Sequence, residues 1–128
     1  MQVSQLDHLV LTVKDIDKTK EFYQSVLGMK VTFYNQGRVA LSFGEMKINL
    51  HLYGNEFDPK SGLPTPGSAD LCFITETPLH EAVAHVRRCN IDIEEGPVER
   101  TGATGAIYSF YIRDPDQNLL EISNRIEV

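Results

Sequence analysis

Four side chains in this 128-residue sequence could together hold a divalent metal ion: His8, His51, Asp70 and Glu121. Each lies in a short segment, HLVLTV, INLHLY, ADLCFI or LLEIS, whose polar and apolar residues alternate as on a half-buried strand. Imidazole nitrogen and carboxylate oxygen are the ordinary donors for ions such as Zn, Ni, Fe, Mn or Co. Two histidines and two carboxylates converging from four strands would hold such an ion and leave positions open for substrate oxygens. A carboxylate beside it, Glu121 or Asp70, could then take the proton that polarisation acidifies. Any one of the four alone is more simply a satisfied polar group on a strand. The expectation of a site rests on the four in matched register.

The elements that must position them repeat. Leu6 to Val13 alternates, with His8, Val10 and Thr12 on one face and Leu9, Leu11 and Val13 on the other. Asp15 is placed to cap a helix through Leu27, with Ile16, Phe22, Tyr23, Val26 and Leu27 as its apolar stripe and Gly28 as its stop. Strands are expected near 30–34, 38–43 and 46–53, separated by Asn35-Gln36-Gly37 and Gly44-Glu45. The Gly- and Pro-rich stretch 54–68 reads as a connector. The order then recurs: a strand from Asp70 to Thr75, a helix capped by Thr77 with Pro78 in its first turn, and strands near 91–94, 106–113 and 118–124. The fold class expected is α+β: one domain over 1–128, made of two tandem βαβββ modules at about 4–53 and 69–126. Matching the modules pairs His8 with Asp70 and His51 with Glu121, the surplus residues falling in the RTGATG loop, 100–105.

Thr12 and Tyr53 share strand faces with His8 and His51, and so are candidate substrate contacts. RTGATG matches neither a P-loop nor a dinucleotide fingerprint. It reads as a flap over the cleft, with Arg100 as an anion contact. Alternation along 106–113 separates Tyr108 and Phe110 from Tyr111 and Arg113 without saying which pair faces the cleft. His80 and His85 lie off the buried stripe of the second helix at a spacing unsuited to a shared ion, so they read as surface residues. Cys72 and Cys89 form no disulfide framework and read as packing or inert thiols. A net charge of −6 without a basic stripe argues against nucleic acid and against anionic lipid as partners. No apolar run is long enough to span a bilayer and no leader pattern is evident, which makes the cytoplasm the expected address.

LDHLVLTVKDIDKTKEFYQSVLGMKV and RDPDQNLLEIS resemble the two ends of a glyoxalase / bleomycin-resistance / extradiol-dioxygenase domain, of the vicinal oxygen chelate superfamily. The resemblance covers the whole chain and looks strongest to small glyoxalase-domain proteins of the domain-containing-protein-5 type. It implies paired modules forming a cup of mixed sheet with helices outside, usual homodimers, and a divalent metal (Ni, Zn, Mn or Fe(II)) in the cup. By it, His8 and Glu121 match the first and last ligands, and His51 a position that is a ligand in some members. Asp70 stands where metal-binding members usually carry a second histidine. The implied activity is that of a lyase or isomerase acting on a small oxygen-bearing substrate. Alternatives are Fe(II)-dependent cleavage of a catechol by His8, His51 and Glu121, and metal-free sequestration of a small molecule.

Overall fold

The computed structural model describes residues 1–127, which divide into two compact units, the first running to Gly67 and the second starting at Ser68. In the first, β1 (His8–Val13) leads into α1 (Ile16–Ser25), followed by β2 (Lys30–Tyr34), β3 (Arg38–Phe43) and β4 (Met46–Leu52). The spatial order is β1-β4-β3-β2, with β1 parallel to β4 and the other pairs antiparallel. A parallel pair cannot be closed by a tight turn, so the chain must cross over, and α1 begins that crossover. Asp15 caps the helix by accepting from the Lys18 N–H at 2.9 Å, and the Thr19 hydroxyl returns a bond to the Asp15 carbonyl. Gly28, at φ +67, lets the Met29 N–H reach back to the Tyr23 carbonyl and end it. Leu11, Val13, Leu41, Ile48 and Leu50 are buried on the sheet, as are Phe22, Tyr23 and Val26 of the helix segment. Each such burial contributes about 1.5–3 kcal/mol. The stretch expected to be a mere connector belongs to this unit up to Gly67, and Phe57 stacks edge-on against His51.

The second unit repeats the plan. β5 (Asp70–Ile74), α2 (Leu79–Arg88), β6 (Glu95–Gly102), β7 (Gly105–Arg113) and β8 (Leu119–Arg125) pair in the order β5-β8-β7-β6, again with one parallel pair, β5 with β8. Thr77 does not cap α2; Pro78 holds the N-cap position without a side-chain bond. Asn124 on β8 does the work instead, accepting from the Leu79 N–H and donating to the carbonyls of Thr75 and Thr77. Asp114 and Asn118 similarly fix the β7–β8 turn: Asp114 accepts from the Asn118 backbone and side chain, and Asn118 accepts from Ala69 N–H.

Two further expectations are corrected in this unit. The strand expected near 91–94 runs instead from Glu95 to Gly102, and RTGATG is no flap: its ends pair Thr101 with Ala106 and Gly102 with Gly105 in a β6–β7 hairpin. Between Glu95 and Val98 the register shifts, and Gly96 sits there at φ +99. A Cβ at Gly96 would lie 2.5 Å from the Ser109 carbonyl oxygen and 2.9 Å from the Phe110 Cα. Gly96→Ala is therefore expected to destabilise the protein by about 3 kcal/mol, from strain and overpacking combined. Urea denaturation checks this, and a loss below roughly 1 kcal/mol would show that the hairpin yields freely.

Candidate functional site

One face of each sheet carries the polar residues. In the second unit it runs through Asp70, Cys72 and Ile74 on β5, then Leu119, Glu121 and Ser123 on β8, then Ser109, Tyr111 and Arg113 on β7. The ambiguity along 106–113 is thereby resolved: Tyr111 and Arg113 share the face of Glu121, while Phe110 pairs with Ile122 on the other. Cys72 is directly opposite Glu121, and Asp70 is one step diagonal, about 8 Å between Cα atoms from strand spacing and rise.

Glu121 is held from below. The Ser109 hydroxyl, fully buried, donates to Glu121 Oε2 at 2.7 Å and lies 2.7 Å from the buried Ser123 hydroxyl. Ser123 in turn lies 3.3 Å from Cys72 Sγ. An ionised carboxylate can only accept, so it orders the row: the Cys72 thiol donates to Ser123, Ser123 to Ser109, and Ser109 to Glu121. Partial withdrawal from water, with the Glu121 charge adding to it, pushes the Cys72 thiol above the ordinary cysteine value, which keeps that first donor protonated. The arginines beside this face are already engaged. Arg113 forks onto Glu94 at 2.9 and 3.0 Å, while Arg100 bonds Tyr111 Oη at 3.0 Å and Glu95 at 2.9 Å. Arg100 is thus tied within its own hairpin.

In the first unit the corresponding face carries His8, Val10 and Thr12 on β1, Lys47, Asn49 and His51 on β4, Ser42, Ala40 and Arg38 on β3, and Lys30, Thr32 and Tyr34 on β2. His8 is exposed, and its Nδ1 lies 2.7 Å from Asp7 Oδ1. His51 is buried, with the Arg38 guanidinium 3.5 Å from its Nε2 and the Phe57 ring against it. Burial first and the Arg38 charge second hold its imidazole below the ordinary histidine value. Arg38 lies 4.1 Å over Phe57, and Lys47 Nζ 4.0 Å over the Tyr34 ring. The structure does not bring the two histidines together: His8 pairs with Lys47 and His51 with Thr12, four residues apart in one parallel register, or about 13 Å along the strands. Thr12 and His51 share a cavity, whereas the Tyr53 side chain is exposed.

The same registers correct the matching of the modules. His8 faces Lys47 as Asp70 faces Leu119, so the counterpart of Glu121 is Asn49, and that of His51 is Ser123. The pairing expected from the sequence is offset by two residues, which preserves the face and so leaves the alternation pattern blind to it. Asn49 is buried, and its Oδ1 lacks a hydrogen-bond partner among the described residues. Nothing in the INLHLY segment distinguished it from an ordinary strand amide.

These donors suit a divalent ion unequally. With Nδ1–H directed to Asp7, neutral His8 keeps Nε2 as a lone-pair donor, the usual second contact of a metal-binding histidine. Asp70 and Glu121 offer carboxylate oxygens on one face. His51 does not suit a cation, because a guanidinium already stands at its nitrogen. Among the described residues, no three His, Cys, Asp or Glu side chains gather around one point.

Residues 5–122 match the model of the Glyoxalase/Bleomycin resistance protein/Dioxygenase superfamily. The chain is 57% identical over 126 residues to virulence protein STM3117 of Salmonella typhimurium, covering 98% of this chain and 88% of that one. The crystal structure of STM3117 superposes with a TM-score of 0.97, covering 98% and 100%. The glyoxalase domain-containing protein RDO1 of Mycosarcoma maydis is 52% identical, over 97% of this chain and 70% of its own. The fosfomycin resistance protein FosX of Listeria monocytogenes, solved with Mn(II) and a dihydroxypropylphosphonic acid, shares the fold at 19% identity, with a TM-score of 0.66 and coverage of 95% and 90%. Among the described residues no helix is long and apolar enough to cross a membrane.

Ser109→Ala removes a charge-assisted bond and is expected to cost about 1.5–3 kcal/mol, against about 1 kcal/mol for Ser123→Ala. Equal losses in denaturant titrations would show that the row is not ordered toward Glu121. For His51, the folded ring resists protonation that the unfolded chain accepts near pH 6.5. Its contribution to stability is therefore complete above that pH and declines as pH falls toward the lowered folded value. Thermal melts of the wild type and His51→Gln from pH 8 to 5 should diverge in that window, and parallel curves would refute the assignment.

Proposed function

Because this chain belongs to the Glyoxalase/Bleomycin resistance protein/Dioxygenase superfamily, we propose that it is a metal-dependent enzyme of the lyase or isomerase type, acting on a small oxygen-bearing substrate. The candidate ligands are His8 in the first unit and, in the second, Asp70 and Glu121, with His51 released from the set. The observation that carries it is the preparation of the donors: His8 is oriented by Asp7, and Glu121 by a buried hydroxyl row, as ligands and proton acceptors are ordinarily held. A divalent ion would supply Lewis acidity toward substrate oxygens. The chain's own residues do the rest. Ser109 fixes one oxygen of Glu121, and Glu121 or the exposed Asp70 carboxylate accepts the substrate proton. The FosX protein, crystallised with Mn(II), supports the use of a divalent ion on this scaffold. A homodimer is the proposed assembly and the cytoplasm the proposed address.

A second reading, metal-free capture of a small molecule, is favoured by one observation: in the first unit the counterpart of Glu121 is the amide Asn49. Elemental analysis of chelator-free protein separates the two. The first reading expects a near-stoichiometric divalent ion that is lost in His8→Ala and in Glu121→Ala. In Asp7→Asn it should be held about tenfold more weakly. Turnover of a methylglyoxal–glutathione hemithioacetal with Ni, Zn, Mn or Co, and of catechol with Fe(II), then sorts the chemistry. Protein that takes up none of these metals would leave metal-free capture as the function.

A further inference from the structure

The first unit contains a cavity of about 380 Å³ lined by Val10, Thr12, His51, Pro59, Lys60, Ser61 and Pro64, within the range of small-molecule sites. Three of these residues come from β1 and β4, and four from the segment 59–64, so the stretch that reads as a linker folds back to wall a pocket. Its polar groups are two hydroxyls, Thr12 and Ser61, an imidazole and an ammonium. Val10, Pro59 and Pro64 form an apolar wall. Arg38 stands behind the imidazole, 3.5 Å from Nε2. With Nε2 accepting from that guanidinium, the neutral ring carries its proton on Nδ1, and His51 is a donor too. Donors and positive charge beside a short apolar wall match an organic anion.

We propose that this pocket receives the carboxylate of a small organic acid, with Lys60 and Arg38 supplying the attraction and Thr12, Ser61 and His51 the hydrogen bonds. The charge balance disfavours a doubly charged group. Asp58 lies 3.7 Å from Lys60, and Glu56, held by the Gly54 N–H at 2.9 Å, acts on both His51 and Lys60. These two acids offset the two cations, so a carboxylate is held by its hydrogen bonds and the local field of Lys60 and Arg38, whereas a phosphate monoester near −2 would meet excess repulsion. Burial keeps His51 neutral, which leaves the charge to Lys60 and Arg38. The assignment stands on the first unit alone and needs no metal.

The test is an NMR titration of the full chain in EDTA, so that failure of the metal reading does not touch it. Butyrate is expected to shift the backbone signals of Thr12, His51, Lys60 and Ser61 saturably, while uncharged butyramide leaves them in place. Lys60 is exposed, so Lys60→Gln should retain the wild-type spectrum and weaken butyrate about fivefold, with Lys60→Glu weakening it further. No saturable shift, equal shifts with butyramide, or butyrate binding indifferent to both variants would overturn the proposal. Inorganic phosphate binding in place of butyrate would also overturn it, in favour of a phosphate site.

Discussion

One parallel strand pair in each unit decides where every polar side chain stands. β1 against β4 and β5 against β8 are the pairings that a turn cannot make, so a helix begins each crossover before the partner strand arrives. Once the pair is set, the remaining strands add as hairpins and inherit its faces. Leu11 opposite Leu50 and Phe73 opposite Ile122 fix which side is apolar, and a slip of one residue would turn that side to water. A slip of two would preserve the core face and move every polar neighbour. The site is therefore specified more narrowly than the hydrophobic pattern alone requires.

With the registers shared, the two polar faces can be compared position by position. Where the second unit has Ser109, Glu121 and Ser123, the first has Arg38, Asn49 and His51. In one unit, hydroxyls converge on a carboxylate that orders their protons. In the other, a guanidinium lies against a buried neutral imidazole and an aromatic ring. The first unit's strand face carries Lys30, Arg38 and Lys47 and no acid, and the second's carries Asp70 and Glu121, with Arg100 and Arg113 engaged by Glu95 and Glu94. One scaffold thus carries two opposite electrostatic characters.

Most of the fold was legible because each strand but one alternates strongly and each turn carries its own punctuation. Strands at 30–34 and 38–43 were placed to the residue, since Asn35, Gln36 and Gly37 all adopt positive φ in the turn between them. β6 was missed because EGPVERTG has neither apolar alternation nor buried anchors; its pairing with β7 alone makes it a strand. The cap of α2 was misplaced because Asn124, 45 residues downstream of Leu79, supplies it, and no local window contains that information. Among the candidate site residues, faces were readable and neighbours were not. His8, His51, Asp70 and Glu121 all lie on the polar faces expected, yet the separation of His8 from His51 follows from register, which alternation leaves undetermined.

The same distinction explains Arg38 and Ser109. Each opens or interrupts an apolar run, RVALSF or GAIYSFYIR, and locally reads as solvent-facing polarity. Each is in fact opposite the residue that matters on the central strand, Arg38 across from His51 and Ser109 across from Ser123, and each bonds to it or beside it. A buried hydroxyl or imidazole left without such a partner costs about 1–3 kcal/mol. The cross-strand partner is therefore a condition for placing His51 and Glu121 where they are. In this fold the third strand of each module, β3 or β7, fixes the chemistry of the fourth.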